Sequence, residues 1–230
     1  MSMRVMSAGK GVKYLLSSVV TGDNAGPEAL TRYYSQKGTP PGRWMGSDLG
    51  AFGDGSIQAG DTVLEEQLRA LIGRACDPLT GQPLGRRLAN YKTVEERIDD
   101  RIAVLSPALT TTQKAEAITD ITAEELDRGS RNAVAAFDHT FSVPKSVSVL
   151  WAVGAGEIQE AVLQAHNAAT SEVLRLIERE VAATRIGIDG GDGSVRQVPV
   201  MGLVATAYDH YESRSSDPQL HTHVVIANRA

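Results

Sequence analysis

The chain has 230 residues, enough for one large domain or two small ones, with a substantial core. Its net charge of −5 argues against a general nucleic-acid-binding surface, so any such contact needs a local basic groove. A single cysteine, Cys76, excludes an internal disulfide framework and fits a reducing cytosol. No apolar run approaches the ~20 residues of a membrane span, and Met1 onward shows no signal-peptide pattern.

A short strand is expected over Arg4–Met6, followed by a glycine-marked turn and a helix from about Val12 to Val20. Val12, Leu15, Leu16, Val19 and Val20 fall on one face of that helix. Tyr14 points the other way. It is either a surface tyrosine or one available for chemistry. A loop leads to a short helix over Glu28–Gln36 carrying Tyr33 and Tyr34, both within packing distance of Leu30 on a helical wheel. Arg43-Trp-Met-Gly46 lies in a turn-rich connection.

Thr62 and Glu65 suggest a capping box for a helix from Asp61 to about Cys76, with Leu64, Leu68, Leu71 and Ile72 inward. Thr93 and Glu96 suggest another box, opening a helix over Val94–Leu105. A third, Thr122 with Glu125, opens a short helix that Gly129 should end. Residues 86–130 are charged and only weakly striped, and are expected to form a helical insertion. Phe137–Phe141 alternates as a strand, with Asp138 and Thr140 on one face. Val147–Trp151 fits a helix with Ser142 as N-cap and Pro144 in its first turn, although a continued strand is also open. Gly156–Arg185 reads as the longest helix, with Ile158, Val162, Ala169, Val173, Leu176 and Ile177 inward and His166 a surface or packing residue.

The chain closes with its strongest chemical signal. Three of the five histidines, His210, His221 and His223, fall within fourteen residues. His221 and His223 share a face if their segment is a strand. Gly202–His210 also reads as a strand, and Ser215-Ser-Asp-Pro218 supplies turn chemistry between the two. If His210 pairs opposite His221, three imidazoles converge on one face as a three-nitrogen metal site. A packed polar cluster is the alternative. Asp138 is a candidate to accept the second ring N–H of a ligand histidine. Such a metal can polarise a phosphoryl oxygen, but the sequence shows no serine elbow or carboxylate cluster. The unassigned tyrosines could fill the gap, provided the phenolate is stabilised.

Asp138-His-Thr-Phe-Ser-Val-Pro-Lys-Ser-Val-Ser148 resembles the Asp-x-Thr-Phe-Ser-x-Pro-Lys-Ser-Val-Ser motif of MobF-type (TrwC-like) conjugative relaxases, members of the HUH endonuclease superfamily. The ending His210…Pro218-Gln-Leu-His-Thr-His223 and Arg43-Trp-Met-Gly46 are similar to that family as well. The resemblance implies an α/β two-layer sandwich with a mainly antiparallel, circularly permuted sheet. It further implies a metal-dependent, site- and strand-specific DNA transesterase that nicks a plasmid transfer origin through a 5′-phosphotyrosine. On that basis Tyr14 is the first nucleophile and Tyr33, or else Tyr34, the second. His210, His221 and His223 hold one divalent ion (Mg, Mn or Zn), Asp138 orients a ligand or takes the tyrosine proton, and Arg214 and Lys145 contact DNA.

The implied partners are single-stranded DNA at a transfer origin, other relaxosome components and type IV secretion coupling proteins, with a cytoplasmic location in the donor cell. Three departures stand out from the family pattern, one of them that the chain stops at Asn228-Arg-Ala230, just after the metal strand. The first tyrosine pair is reduced to Tyr14-Leu15, and the spacer to Tyr33-Tyr34 is longer. The whole chain is expected to be one relaxase domain, truncated at its C-terminus relative to the family. A water-using metal phosphodiesterase and a non-catalytic single-stranded-DNA-binding module are the competing readings.

Overall fold

The computed structural model describes residues 1–7, 41–85, 88–187, 195–213, 215 and 217–229. The expected helices carrying Tyr14, Tyr33 and Tyr34 lie outside the described residues, as does Arg214. The chain divides into two compact units, one of Met1–Arg87 with Val134–Ala230 and one of Leu88–Ala133.

The first unit is built on a five-stranded sheet. Its strands are β1 (Ser2–Ser7), β2 (Arg43–Met45), β3 (Val134–Ser142), β6 (Ala205–Glu212) and β7 (Pro218–Ala227). They run in the order β1-β3-β7-β6-β2, each neighbour antiparallel. The ribbon β4 (Ala183–Gly187) with β5 (Val195–Pro199) forms a separate two-stranded sheet. The period of two decides what each face does. On one face Phe141, Ala205, Ala207, Val224 and Ile226 form an apolar core with Leu203 and Leu174, the latter from helix α5 (Gly156–Glu180), and Val173 and Ile177 pack against it. The other face carries the three histidines. At its far end Trp44 is buried and meets Phe52 edge-on at 6.0 Å.

Several elements differ from the sequence expectations. Helix α1 starts at Glu65 instead of Asp61 and continues through a π-helical turn, Arg69–Arg74, to a left-handed Ala75. Thr62 cannot cap it, because that residue pairs with Arg43 as an added bridge on β2. Leu64 is accordingly exposed, while Leu68, Leu71 and Ile72 are buried as expected. Helix α4 is Lys145–Val153, with Pro144 rather than Ser142 at its N-cap. Helix α5 ends at Glu180, and the residues expected to extend it to Arg185 turn into β4. Ile158 and Leu176 are exposed on α5, whereas Leu174 is buried.

In the second unit α2 (Val94–Ala103) begins with the Thr93–Glu96 box, its two reciprocal bonds measuring 3.1 and 2.8 Å. Helix α3 runs from Thr111 to Arg128, capped by Thr110 and Gln113. Thr122 is therefore mid-helix, its hydroxyl donating back to the Ile118 carbonyl at 2.7 Å. Gly129 ends α3 at φ 67°. Buried Glu125 joins the two helices by accepting from Arg97, Arg101 and Arg128.

Candidate metal centre

The hairpin β6–β7 pairs His210 directly with His221 and Tyr208 with His223. The side-chain alternation then puts all three imidazoles on one face. Their ring centroids are 5.0–5.3 Å apart, and one ligand nitrogen from each lies within 4.8 Å of the others. Three nitrogens bound at ~2.1 Å to one ion sit closer than that, so closing on a metal requires shifts of about 1 Å or less.

Hydrogen bonds select the tautomers that a metal needs. His223 Nδ1 lies 2.9 and 3.0 Å from the two oxygens of Asp138. A carboxylate only accepts, so Nδ1 carries a proton, and Nε2 is the nitrogen left to face an ion. The Nδ1–H of His221 donates in the same way to the Gln219 carbonyl at 2.8 Å. Burial, and then the neighbouring His223 and His221, pull His210 down from 6.5 to about 4. Burial is also the main reason that His221 is lowered, with the Gln219 carbonyl opposing it. Both rings are neutral at pH 7, the form that binds metal.

The segment Asp138–Ser148 is the frame of this hairpin. Asp138 is 2% exposed and reaches His223 from the neighbouring strand β3. Ser142 pairs opposite His221. Buried Ser148, on α4, accepts the Leu220 N–H at 3.1 Å. Lys145 binds Asp217 and donates to the Pro218 carbonyl at 2.8 Å, which fastens the start of β7. Lys145 is thus engaged by the hairpin itself. In Arg43-Trp-Met-Gly46, Arg43 pairs with Asp209 and Trp44 fills the core. Gly46 adopts φ +103°, where a Cβ would come 2.0 Å from the Leu203 carbonyl oxygen.

The structure brings His210, His221, His223 and Asp138 together. His166 lies apart from the triad, buried on the opposite face with Nε2 2.8 Å from the Thr222 hydroxyl. Tyr208 shares the histidine face, but it is buried, and burial raises its phenol above the ordinary value. Tyr211 points to the opposite face and packs on Trp151 at 4.8 Å. Neither is placed as a nucleophile. The register also sets Arg4 across from Asp138 on the histidine face. That placement was hidden from the sequence because the pairing of β1 with β3 is long-range.

A three-histidine cradle on an antiparallel sheet, backed by a buried carboxylate, defines a metal-binding α/β domain. The family described as TrwC relaxase matches residues 8–230, and the chain belongs to that family. Two Escherichia coli proteins described as multifunctional conjugation protein TraI, one of them from strain K12, are 40% and 38% identical to it over 100 residues. Those segments cover 44% of this chain and 5% of each relative. The fold is shared with the conjugative relaxase TrwC in its copper-bound complex with oriT DNA, at TM-score 0.58 and 24% identity over 99% of this chain. A complex of TrwC with a 27-mer comprising the recognition hairpin and cleavage site gives TM-score 0.54 and 22% identity. This chain spans 57% and 55% of those two chains. Among the described residues no helix is long and apolar enough to cross a membrane.

Proposed function

We propose that this chain is the nicking domain of a conjugative relaxase, acting on single-stranded DNA at a plasmid transfer origin. The observation that carries the reading is the set of three mutually close histidines with Asp138 behind His223. His210, His221 and His223 would hold a divalent ion, of which magnesium, manganese and zinc are the candidates. When bound, such an ion acts as a Lewis acid towards a phosphoryl oxygen. The 98% burial of Asp138, with both oxygens on His223, favours an orienting role over that of proton acceptor.

Tyr14 supplies the nucleophile, and Tyr33, or its neighbour Tyr34, the second one. The Tyr14 oxygen forms a bond to the scissile phosphorus as the P–O3′ bond breaks, and the phenolic proton passes, net, to the departing 3′ oxygen. The product is a 5′-phosphotyrosine and a free 3′-hydroxyl, and no bond energy is lost to water. Arg214, Arg4 and Lys145 are candidate phosphate contacts, Lys145 after exchange of its Asp217 partner. Residues 86–130 form a helical insertion in a single relaxase domain. The protein acts in the donor cytoplasm beside relaxosome and type IV coupling proteins.

The test uses a labelled single strand bearing the cognate transfer origin with Mg²⁺ or Mn²⁺, resolved on a denaturing gel. A covalent protein–DNA band that Tyr14→Phe abolishes is the expected result. Cleavage without an adduct would indicate a water-using phosphodiesterase, and binding without cleavage a DNA-binding module. An adduct surviving in Tyr14→Phe would reassign the nucleophile.

A further inference from the structure

The face of the hairpin opposite the triad is polar where an apolar core is expected. Thr222, between His221 and His223, is fully buried, and its partner across the ladder is Asp209, 3% exposed. The Thr222 hydroxyl donates to Asp209 Oδ1 at 2.6 Å. Since that hydroxyl has one proton, the 2.8 Å contact to buried His166 must run the other way, with His166 Nε2–H donating to Thr222. Arg43, on edge strand β2, closes the chain by pairing with the second oxygen of Asp209. Its other arm donates to the Asn167 side chain at 3.0 Å, next to His166 on α5. The Thr222 hydroxyl and one arm of Arg43 therefore converge on Asp209, and the network joins β2, β6, β7 and α5.

We infer that Arg43, Asp209, Thr222 and His166 form a positioning network that fixes β6 against β7 from beneath and thereby sets the spacing of the three histidines. This rests on the metal-binding reading of the triad. The physical case is one of connectivity. Asp209 and Thr222 are bonded in sequence to His210, His221 and His223, so their cross-strand bond spans the same pair of strands as the ligand nitrogens. The apolar face pins the β6–β7 register at Ala205, Ala207, Val224 and Ile226, whereas at the histidine end both faces are polar and the hydrophobic pattern specifies register only weakly. A buried carboxylate satisfied by a hydroxyl and a guanidinium resists drift there, because any slip leaves the carboxylate without partners. Packing alone would be served as well by valine at 222 and a hydrophobe at 209. Apolar Val224 and Ile226 occupy the same face two and four residues further along β7.

The experiment compares wild type, Thr222→Val and Thr222→Ser as full-length chains. Thr222→Val keeps the shape and removes the hydroxyl, whereas Thr222→Ser keeps the hydroxyl. Co²⁺ affinity is measured by calorimetry and the coordination geometry by the visible absorption of the Co²⁺-loaded protein, with thermal unfolding of the metal-free protein as the control for folding. Thr222→Val is expected to bind Co²⁺ about tenfold more weakly, with altered absorption bands, and Thr222→Ser to restore both. Asp209→Asn should behave like Thr222→Val and provides a second variant should that one fold poorly. Wild-type affinity and spectrum in folded Thr222→Val would overturn the network's role while leaving the metal site standing. Failure of wild type itself to bind Co²⁺ would overturn the metal reading and, with it, this inference.

Discussion

Replacing Asp138 by asparagine tests the centre at its most constrained point. Asp138 is 2% exposed, and both its oxygens accept from the one Nδ1–H of His223, at 2.9 and 3.0 Å. Asparagine has nearly the same volume, so packing is preserved while one acceptor becomes a donor. If the amide nitrogen faces Nδ1, the ring proton moves to Nε2 and the lone pair directed at the ion is lost. If the amide oxygen faces Nδ1 instead, the tautomer is kept, but the charge that makes the ring a stronger base is gone. Either orientation weakens metal binding. Loss of a carboxylate behind a ligand histidine typically costs 10–100-fold in affinity, or about 1.4–2.7 kcal/mol. Titration of metal-free Asp138→Asn with Mn²⁺ or Co²⁺, followed by calorimetry, should fall in that range, with DNA nicking reduced at limiting metal and partly recovered at saturating metal. Unchanged metal affinity in a folded variant would refute the orienting role. Nicking lost at every metal concentration with affinity intact would instead point to Asp138 as a proton acceptor.

Three further changes probe the scaffold. Glu125 is held below the ordinary carboxyl value of 4.5, first by the hydrogen bond from Arg97 against the opposing effect of burial, and then by Arg101 and Arg128. A depressed folded pKa stabilises the native state above the unfolded value, and that contribution is lost as pH falls through the folded value. Glu125→Gln should therefore melt below wild type at pH 7, with the gap narrowing once pH drops below about 4.5; an equal gap at both pH values would refute the linkage. Gly46→Ala places a Cβ 2.0 Å from the Leu203 carbonyl oxygen at φ +103°, and should lower stability in urea unfolding by at least about 2 kcal/mol. Asp77 accepts backbone N–H groups of Gly53, Leu79 and Thr80 at 2.7–2.9 Å. Asp77→Asn turns one acceptor into a donor facing an N–H and should cost about 1–3 kcal/mol by the same measurement.

The triad was legible in the sequence because strand alternation and a turn are local rules, and they bring residues eleven apart in the chain to one face. Asp138 was legible as a residue type on a strand face, although which histidine it serves depends on β3 pairing with β7, a contact across 85 residues. Two of the misplaced helix starts have related causes. Thr62 and Thr122 both match a capping pattern, but a bridge to β2 takes the first and the already capped α3 runs through the second. Local patterns list possible caps, and tertiary pairing decides which of them are used.

The motif residues can be assigned by what they touch instead of by likeness alone. Lys145, Ser148 and Asp138 each bind the hairpin, at Asp217, Leu220 and His223 respectively. Arg43 reaches the hairpin from the other edge of the sheet, through Asp209. A histidine hairpin alone would be a flexible chelator. Here it is gripped at its loop, along its ladder and beneath its ligand strand, by residues drawn from three other elements. That rigidity matters more for phosphoryl transfer than for metal storage. Transesterification at a fixed phosphate requires ligand atoms held close to their final geometry before DNA arrives. A storage site has no such requirement, so the number of independent restraints on this hairpin supports the proposed catalytic reading.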